Sequence, residues 1–462
     1  MNKLLIKNKD LTIKEVVIDS ASFDFDERHG QHEIVEYKVN WQYRNPKLYF
    51  HIIKAIIFFI IKSRKLSNIL NYSIGGINLG LPAYSTAVRS FKVYDNKAYL
   101  YYSVFKQFIS SIRMYFFSIS IIQQSKKESG EMVVYIEDVS YLNSIFFDSL
   151  MRNGIGVYIH KYPHGFMFHK NKKLTNISIA KYEYPKITVS DDEYHASMEK
   201  RLRNPEESIP YYNAKTPKSL TACKPKEEFA KTILIYAHSF TDCQLMYGYD
   251  GFLNMYEWLE FTLNSLTHQN VNIIVKGHPN FWAYNIKAEV IKWDRILWNK
   301  IKNKYQESKS ITFINSPITN KEQLDLLDLN KTVVISHHGN AAVEAAYLGF
   351  KSISSSCSPW GAKYYSFCET WSSREQYKEL LYNLENIGPV DAKKLRNFIS
   401  DRYIYKRSYH GELVWFSILA KEIGISTKEI SANPSIVTKD QFKDYFHTIR
   451  KVAASIHEFP ST

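Results

Sequence analysis

The feature that most constrains how this chain folds is the regular alternation of short apolar runs with helical segments between residues 231 and 390. Five runs are rich in β-branched residues and end in polar residues; they are 231–239, 271–279, 310–316, 332–340 and 351–358. Segments with helical spacing of apolar residues separate them, notably 255–269 and 376–387. Repeated strand–helix–strand units of this length predict a parallel sheet with helices packed on its faces.

A shorter unit of the same kind lies in the first half of the chain. Residues 131–140 predict a buried strand, 141–154 predict a helix, and 154–160 predict the next strand. The helix is expected to end at Gly154, because glycine readily adopts the left-handed conformation that closes a last turn. A further strand is predicted at 15–20. Together these patterns predict a second parallel sheet.

Residues 203–230 separate the two halves and differ from both. They contain several prolines and mixed charges without apolar periodicity, which is typical of a linker. We therefore predict an α/β protein with an N-terminal domain over 1–215 and a C-terminal domain over 216–405. Both are expected to be Rossmann-like parallel-sheet domains that face each other across a cleft. Residues 406–462 predict C-terminal helices that either cross back to the first domain or associate with a membrane.

The composition limits the classes of partner. The chain has 462 residues with 45% hydrophobic and 15% aromatic content, which is that of a globular protein. Its formal net charge is +14, so an anionic partner is expected. The lysines are spread along the chain rather than clustered, which argues against a nucleic-acid interface. The four cysteines include no CxxC pair, which indicates reduced thiols in a cytoplasmic protein.

Two segments raise the question of membrane contact. The run at 48–62 is the most apolar, but His51 and Lys54 interrupt it, and it is shorter than the roughly 20 residues of a spanning helix. It predicts either a buried core helix or an interfacial helix. Residues 441–459 predict a basic amphipathic helix, which either packs across the two halves or contacts the cytoplasmic face of an inner membrane. The first 20 residues lack the pattern of a signal peptide.

The most informative turn lies between a predicted strand and a helical pattern. It carries four residues suited to an anion, His337, His338, Gly339 and Asn340, with Glu344 one turn into the helix. Unpaired backbone N–H groups at a helix start favour an anion, and glycine lets a phosphate approach the backbone. Two alternatives remain open. Asn340 is also a good N-cap, and Glu344 either accepts ribose hydroxyls or complements the helix dipole.

Polar residues also end the other predicted strands of this half. They are His238, Ser239, Thr241 and Asp242 after the first strand, Lys276, His278 and Pro279 after the second, and Ser356 after the last. Some have plainer interpretations, since His278 fits an ordinary turn and Ser356 an ordinary serine-rich loop. Their convergence at one sheet edge nevertheless predicts a pocket for a nucleotide mono- or diphosphate. This pocket would be built without a P-loop or a strand-borne GxGxxG turn, as neither motif occurs.

Three stretches of the second half, IYAHSFTDCQLMYGYDGF, VKGHPN and SHHGNAAVEAAYLGFKSISSSCSPWG, are followed by the helical EQYKELL. In this order and spacing they resemble the donor-binding half of GT-B glycosyltransferases of the capsule or surface polysaccharide biosynthesis type. In the first half, YSIGGINLGLPAYSTAVRSF resembles the glycine-bearing acceptor-side segment of these enzymes. YIEDVSYLNSIFFDSLMRNGIGVYI resembles their middle strand–helix–strand unit. The resemblance covers most of residues 70–390.

The resemblance implies an enzyme that moves a sugar from a CMP- or UDP-activated donor to a growing bacterial surface glycan, such as capsule, O-antigen or lipopolysaccharide. The C-terminal domain would hold the nucleotide sugar through His278, the Gly339–Asn340 turn and Glu344. Backbone N–H groups and His278, rather than a bound metal, would stabilise the leaving phosphate. No cofactor beyond the nucleotide sugar is expected, and no DxD motif is placed to hold a metal.

The N-terminal domain would hold the acceptor, an oligosaccharide or a lipid-linked glycan, with Gly76, Tyr141 and His160 as candidate contacts. An inverting reaction needs a general base on this side. Asp138 and Glu137, at the end of the predicted strand over 131–140, are the first candidates, and His160 and His164 are the second. Both carboxylates are equally explained as a solvated strand end or a helix cap.

Three other functions fit parts of the pattern. A polyol-phosphate transferase with a CDP-activated donor, as in teichoic-acid-like polymer synthesis, would use a similar pocket. An epimerase acting on a UDP-sugar would need acidic residues from both halves at one ring. A non-catalytic glycan-binding or membrane-assembly protein is compatible with the aromatic content and the basic C-terminal segment, but it does not explain the convergent polar strand ends.

Overall fold

The architecture comes from a computed structural model of the chain. The described residues are 3–6, 14–17, 46–89, 94, 96–127, 132–136, 141–161, 165–169, 189–203, 222–242, 245, 248–282, 289–314, 318–361, 365–404 and 412–414. The predicted bases Glu137, Asp138 and His164, the helix predicted over 441–459 and most of the predicted linker lie outside these residues. The side chain of His160 is also outside the description.

The first lobe, formed by the described residues 3–169 and 412–414, contains a mixed sheet and a layer of helices. Its strands are β1 (Lys3–Ile6), β2 (Lys14–Val17), β3 (Ser73–Ile74), β4 (Ile77–Asn78), β5 (Met132–Ile136), β6 (Gly156–Lys161) and β7 (Gly165–His169). Its helices are α1 (Pro46–Lys62), α2 (Gly80–Ala87), α3 (Lys97–Lys127) and α4 (Asn143–Arg152), with a 3-10 turn at Leu66–Ile69.

The strand–helix–strand unit predicted in this lobe is confirmed, but the sheet around it is not parallel throughout. Strands β5 and β6 pair in parallel across α4, and the backbone after α4 turns at Gly154 with a φ of 75°. By contrast, β1 pairs antiparallel with both β2 and β5, and β6 pairs antiparallel with β7. The connections from β1 to β2 and from β6 to β7 are too short for a crossover, so these pairs can only form hairpins. The prediction of a Rossmann-like parallel sheet is therefore wrong for this lobe.

The second lobe, formed by the described residues 189–404, has the parallel sheet that the alternating pattern predicts. Its strands are β8 (Thr232–Tyr236), β9 (Asn272–Lys276), β10 (Ile311–Ile314), β11 (Thr332–Ser336), β12 (Lys351–Ser355) and β13 (Glu369–Trp371). Their order is β10-β9-β8-β11-β12-β13 and every pair is parallel. This order is that of a doubly wound nucleotide-binding sheet, so the α/β class is confirmed.

Helices cover both faces of this sheet. They are α5 (Asp191–Arg203), α6 (Met255–Leu266), α7 (Glu289–Tyr305), α8 (Asn320–Leu324), α9 (Ala341–Tyr347), α10 (Arg374–Tyr382) and α11 (Ala392–Ile399), with shorter turns at Pro279–Trp282, Leu384–Asn386 and Ser400–Ile404. Every residue of β8, β9 and β11 is buried, because a parallel strand between two helical layers has no solvent face. Trp258, Trp298 and Trp371 fill the core on one side.

Two segments cross between the predicted domains. Helix α5 belongs by sequence to the predicted first domain, yet its Tyr194 and Met198 pack with Ala342 and Phe398 of the second lobe. Strand β14 (Glu412–Val414) follows the second lobe in sequence and pairs antiparallel with β7 of the first. The chain therefore returns to the first lobe after residue 404. Among the described helices, none is both long enough and apolar enough to cross a bilayer.

Candidate functional site

The strand order of the second lobe creates a crevice between the carboxyl ends of β8 and β11. The chain leaves β8 toward one edge of the sheet and reaches β11 only after building β9 and β10 on that side. Connections from these two neighbouring strands diverge, so a gap opens above them, and ligands of doubly wound sheets bind in this gap. His238 follows β8, and His337 to Gly339 follow β11.

Four histidines from three strand ends meet in this crevice. We call His238, His278, His337 and His338 the histidine cluster. The ring centroids of His238 and His338 are 4.0 Å apart, and those of His238 and His278 are 5.3 Å apart. A Cβ built on Gly339 would lie 4.0 Å from Cδ2 of His238, so the turn after β11 borders the same space. The predicted convergence of these strand ends is present in the structure.

The electrostatic state of the cluster follows from its burial. Burial lowers the pKa of His238 to about 4. Burial, and then the neighbouring His238, hold the pKa values of His278 and His338 well below the usual value of histidine. These three imidazoles are therefore neutral at pH 7 and able to take up a proton when an anion arrives beside them. Within the described part of the chain, no group of three or more His, Cys, Asp or Glu side chains is arranged to hold a metal ion.

A buried carboxylate organises the back of the cluster. Oδ2 of Asp250 lies 2.9 Å from Nε2 of His337, and it also accepts a hydrogen bond from the hydroxyl of Ser355. Burial alone would raise the pKa of Asp250, but the His337 imidazole and these hydrogen bonds hold it below its usual value. Nε2 of His337 is buried and makes this close contact with Asp250 without the angles of a good hydrogen bond.

His338 extends this contact between Asp250 and His337. Nδ1 of His337 and Nδ1 of His338 are 2.9 Å apart. One of these two nitrogens donates and the other accepts, so the two imidazoles are coupled. Asp250, His337 and His338 thus form one chain of close contacts, in which the Asp250 carboxylate would balance a positive charge that forms on either imidazole.

Lys276 is the last residue of β9 and precedes His278 of the cluster by two residues. It is 5% exposed, and its Nζ lies 5.7 Å from the centroid of the Tyr236 ring. Among the described residues no carboxylate lies within ion-pair distance of Nζ. Burial lowers the pKa of Lys276 to about 8, while Glu344 and Glu322 partly oppose this. A buried lysine without an adjacent carboxylate is unfavourable in the empty protein and favours an anionic ligand.

Asp294 of α7 shapes the loop that follows β8. Its carboxylate accepts hydrogen bonds from the hydroxyl of Ser239 at 2.6 Å, from the backbone N–H groups of Phe240 and Thr241 at 2.8 and 3.0 Å, and from the hydroxyl of Thr241 at 2.9 Å. Burial raises the pKa of Asp294 to about 6 despite these bonds. The predicted donor residue Ser239 therefore supports the loop through Asp294, and His238 and Asp242 emerge on either side of it.

Asp242 joins the site to the first lobe. The hydroxyl of Tyr141 donates to Oδ1 of Asp242 at 2.9 Å, and a guanidinium nitrogen of Arg89 lies 3.8 Å from the same oxygen. The Arg89 guanidinium also stacks 4.3 Å from the centroid of the Tyr141 ring. Tyr141 has a φ of 55°, an uncommon conformation for a residue with a side chain, and this positions its ring toward the second lobe.

Glu344 is engaged by residues that lie far away in sequence. Nε of Arg201, on α5, donates to its Oε1 at 2.8 Å, and Nδ2 of Asn320 donates to its Oε2 at 2.6 Å. Asn340 makes no N-cap hydrogen bond to α9; its Oδ1 instead accepts from the Tyr403 hydroxyl at 3.0 Å. The capping alternative for Asn340 is therefore wrong. A ribose that contacts Glu344, as predicted, would have to share the carboxylate with Arg201 and Asn320.

The remaining predicted contacts differ in their surroundings. Gly76 forms the tip of the β3–β4 hairpin together with Gly75, and their φ values of 78° and 58° fit a two-residue turn. Pro279 opens the 3-10 turn after β9 and is half-buried. The backbone N–H of Ser356 donates to the carbonyl of Trp371 at 2.8 Å, which ties the end of β12 to β13. Their ligand contacts stay predictions.

Comparisons with known proteins give only distant likenesses. No protein-family model and no curated protein matches the chain. Among solved structures, Anabaena HepE in complex with UDP and glucose is 8% identical with a TM-score of 0.27, and coverage is 63% of each chain. The UDP-forming α,α-trehalose-phosphate synthase of Burkholderia xenovorans, in complex with glucose 6-phosphate, is 10% identical with a TM-score of 0.30, over 66% of this chain and 64% of that one.

A third likeness is to α,α-trehalose 6-phosphate synthase of Burkholderia multivorans, at 12% identity and a TM-score of 0.28, over 76% of this chain and 64% of that one. This chain thus spans less than two thirds of each of these three proteins. At such TM-scores the likenesses do not establish the fold, which rests on the strand order and register described above.

Four residues of the site were not singled out from the sequence. Asp294 had a signal, because it occupies the buried face of α7 together with Ile291 and Trp298, where an acidic residue needs a partner. Asp250 lies between Gly248 and Gly251, both of which have positive φ, and glycines at this spacing indicate a turn. Arg89 and Arg201 carried no local signal, since each meets its partner only through the tertiary fold.

Proposed function

We propose that the protein is a glycosyltransferase that moves a sugar from a nucleotide-activated donor, a CMP- or UDP-sugar, to a growing bacterial surface glycan. The observation that supports this best is the pairing of the histidine cluster with Lys276 at the crevice of a doubly wound sheet. One buried cation and several proton-accepting imidazoles suit a phosphate that gains charge as a bond to it breaks. The resemblance of these strand ends to GT-B donor sites adds the glycosyl class.

The proposed chemistry needs two contributions from the second lobe. Lys276 would hold a phosphate oxygen as a fixed positive charge. As the glycosidic bond to phosphate breaks, the new charge would raise the pKa of the neighbouring imidazoles, and Nε2 of His338 would take up a proton or tighten its hydrogen bond. The Asp250–His337 pair would balance that charge. His278 is the second imidazole proposed to contact the leaving group.

The acceptor would approach from the first lobe. Tyr141 contacts Asp242 at the edge of the crevice, and Asp138 precedes Tyr141 by three residues in the chain. This supports Asp138, with Glu137 beside it, as the base of an inverting reaction. A lipid-linked glycan, used by a protein at the cytoplasmic face of an inner membrane, is the proposed acceptor class.

A thermal-shift panel with CMP, CDP, UDP, GDP and ADP tests the donor proposal. A nucleotide that binds only the folded state raises the melting temperature by mass action. We expect CMP or UDP to raise the melting temperature. UDP is also the nucleotide in the Anabaena HepE complex. A response to CDP above all others would instead favour transfer of a polyol phosphate. A protein that responds to no nucleotide would contradict any nucleotide-sugar function and favour glycan binding.

Nucleotide affinity is expected to fall as the pH rises above about 8. Burial gives Lys276 a pKa of about 8 in the empty site, and a bound phosphate raises that pKa. The complex therefore holds a proton that the free protein loses, so binding weakens by about fivefold between pH 8 and pH 9. Isothermal titration calorimetry of the selected nucleotide from pH 7.5 to 9 measures this. An affinity that is constant over this range in the wild-type protein would remove Lys276 from the phosphate site.

A further inference from the structure

Helix α1 carries an apolar stripe on the side that faces away from the core of the first lobe. Twelve large hydrophobic side chains are exposed among the described residues, and six of them lie on this helix: Tyr49, Phe50, Ile53, Ile57, Ile60 and Ile61, which are 49–69% exposed. At 100° per residue they fall within one arc of about 120°. We call this arc the α1 stripe. Scattered exposed hydrophobes are normal, but a contiguous row indicates a binding surface.

The α1 stripe is distinct from the face by which the helix is anchored. Leu48, Ala55 and Phe59 lie on the opposite side and are buried against the first lobe. The ring of Phe59, for example, packs on Phe105 and Phe108 of α3. The helix is therefore held in place by one apolar face while it presents a second one outward. It is too short to cross a bilayer, so the second face could only lie along a surface.

The charges around the stripe point to an anionic partner. Lys47 and Lys54 lie along one margin of the stripe, and Nζ of Lys54 is 4.3 Å from the centroid of the Phe50 ring. Neither α1, nor α2, nor the neighbouring α3 contains an aspartate or a glutamate. The stretch from residue 37 to residue 94 likewise contains none, although it holds nine lysines and arginines. This is the pattern of an interfacial helix on an anionic leaflet.

We propose that the α1 stripe docks the protein on an anionic phospholipid bilayer, with α1 parallel to the membrane plane. The side chains of the stripe would enter the boundary between headgroups and acyl chains, and the flanking lysines would contact lipid phosphates. A second copy of the chain fits less well, because a symmetric contact would bring these acid-free basic surfaces together. The inference deepens the membrane location included in the proposed function, but its observations do not depend on which donor or acceptor the enzyme uses.

Vesicle flotation of the full-length protein tests this. We expect binding to vesicles of phosphatidylcholine with one third phosphatidylglycerol, weaker binding at high salt, and little binding to phosphatidylcholine alone. The Ile57→Asp/Ile60→Asp variant should bind the anionic vesicles at least about tenfold more weakly, since it replaces two inserted side chains with charges. The control is Leu326→Asp/Leu329→Asp, which changes two exposed leucines of the second lobe and should bind as the wild type does.

Three results would overturn the docking proposal. They are failure of the wild-type protein to float, equal binding of Ile57→Asp/Ile60→Asp, and a wild-type dimer by light scattering that this variant dissociates. If Ile57→Asp/Ile60→Asp does not fold, Lys47→Glu/Lys54→Glu provides the second test. That variant should also weaken binding to the anionic vesicles. The nucleotide-induced thermal shift of each variant is measured in parallel. A normal shift with lost flotation separates membrane docking from the donor site.

Discussion

The Lys276→Met variant is expected to unfold at a higher temperature than the wild-type protein and to lose most of its affinity for the nucleotide. Both effects have one cause. Burial lowers the pKa of Lys276 to about 8, so keeping it charged at pH 7 opposes folding in the empty protein. Removing that charge should add about 1–3 kcal/mol to the free energy of unfolding and a few degrees to the melting temperature. Losing the buried cation should weaken phosphate binding by about 10²-fold.

The experiment is specific because stability is expected to rise while nucleotide affinity falls. A lysine with a merely structural role would make the variant less stable, and an ordinary surface lysine would change neither quantity. Lys321→Met is the matched control, because Nζ of Lys321 pairs with Asp325 at the surface and such pairs contribute little. Differential scanning calorimetry and isothermal titration measure the two quantities. A Lys276→Met protein that melts earlier and still binds the nucleotide normally would show that this residue is not a phosphate ligand.

The Gly80→Ala variant is expected to lose roughly 3–5 kcal/mol of folding free energy or to fail to fold. Gly80 begins α2 directly against the 3-10 turn at Leu66–Ile69. A Cβ at this position would lie 1.7 Å from the carbonyl oxygen of Ile69 and 2.8 Å from its carbonyl carbon. Both are backbone atoms, so no side-chain rotation relieves the clash and the helix would have to move away from the turn.

Gly388→Ala is the control for this prediction. A Cβ there would meet only the side-chain oxygen Oε1 of Glu369, at 3.5 Å, which is ordinary contact. Urea unfolding of both variants gives the comparison, and we expect Gly388→Ala to stay within about 1 kcal/mol of the wild type. Equal stability of the two variants would mean that α2 does not pack against the 3-10 turn as closely as described.

Much of the second lobe could be predicted from the sequence because its elements depend on local pattern. A buried parallel strand is a continuous apolar run, and a helix repeats its apolar residues every three to four positions, so β8, β9 and α6 are visible without the fold. The polar residues that end these strands, such as His238 and His278, were identified for the same reason. The α1 segment was also predicted as a helix, with its interfacial alternative left open.

Which residues meet was decided by tertiary structure. The adjacency of β8 and β11 depends on strand order, and it brings His238 to 4.0 Å from His338 across about 100 intervening residues. Arg201 reaches Glu344 only because α5 packs on the second lobe. Two antiparallel pairs of the first sheet, β1–β2 and β6–β7, are hairpins that short connections permit, a property that an apolar run does not encode.

The sequence by itself thus determined the α/β class, the strand ends that carry polar chemistry, and a basic overall charge. Only the tertiary structure decided that four histidines share one crevice, that Asp250 and Asp294 support it, and that α1 has an exposed apolar side. The reason is physical. Periodicity reports whether a residue faces the core, whereas a site depends on distances between residues that are remote along the chain, and these are set by how whole elements pack.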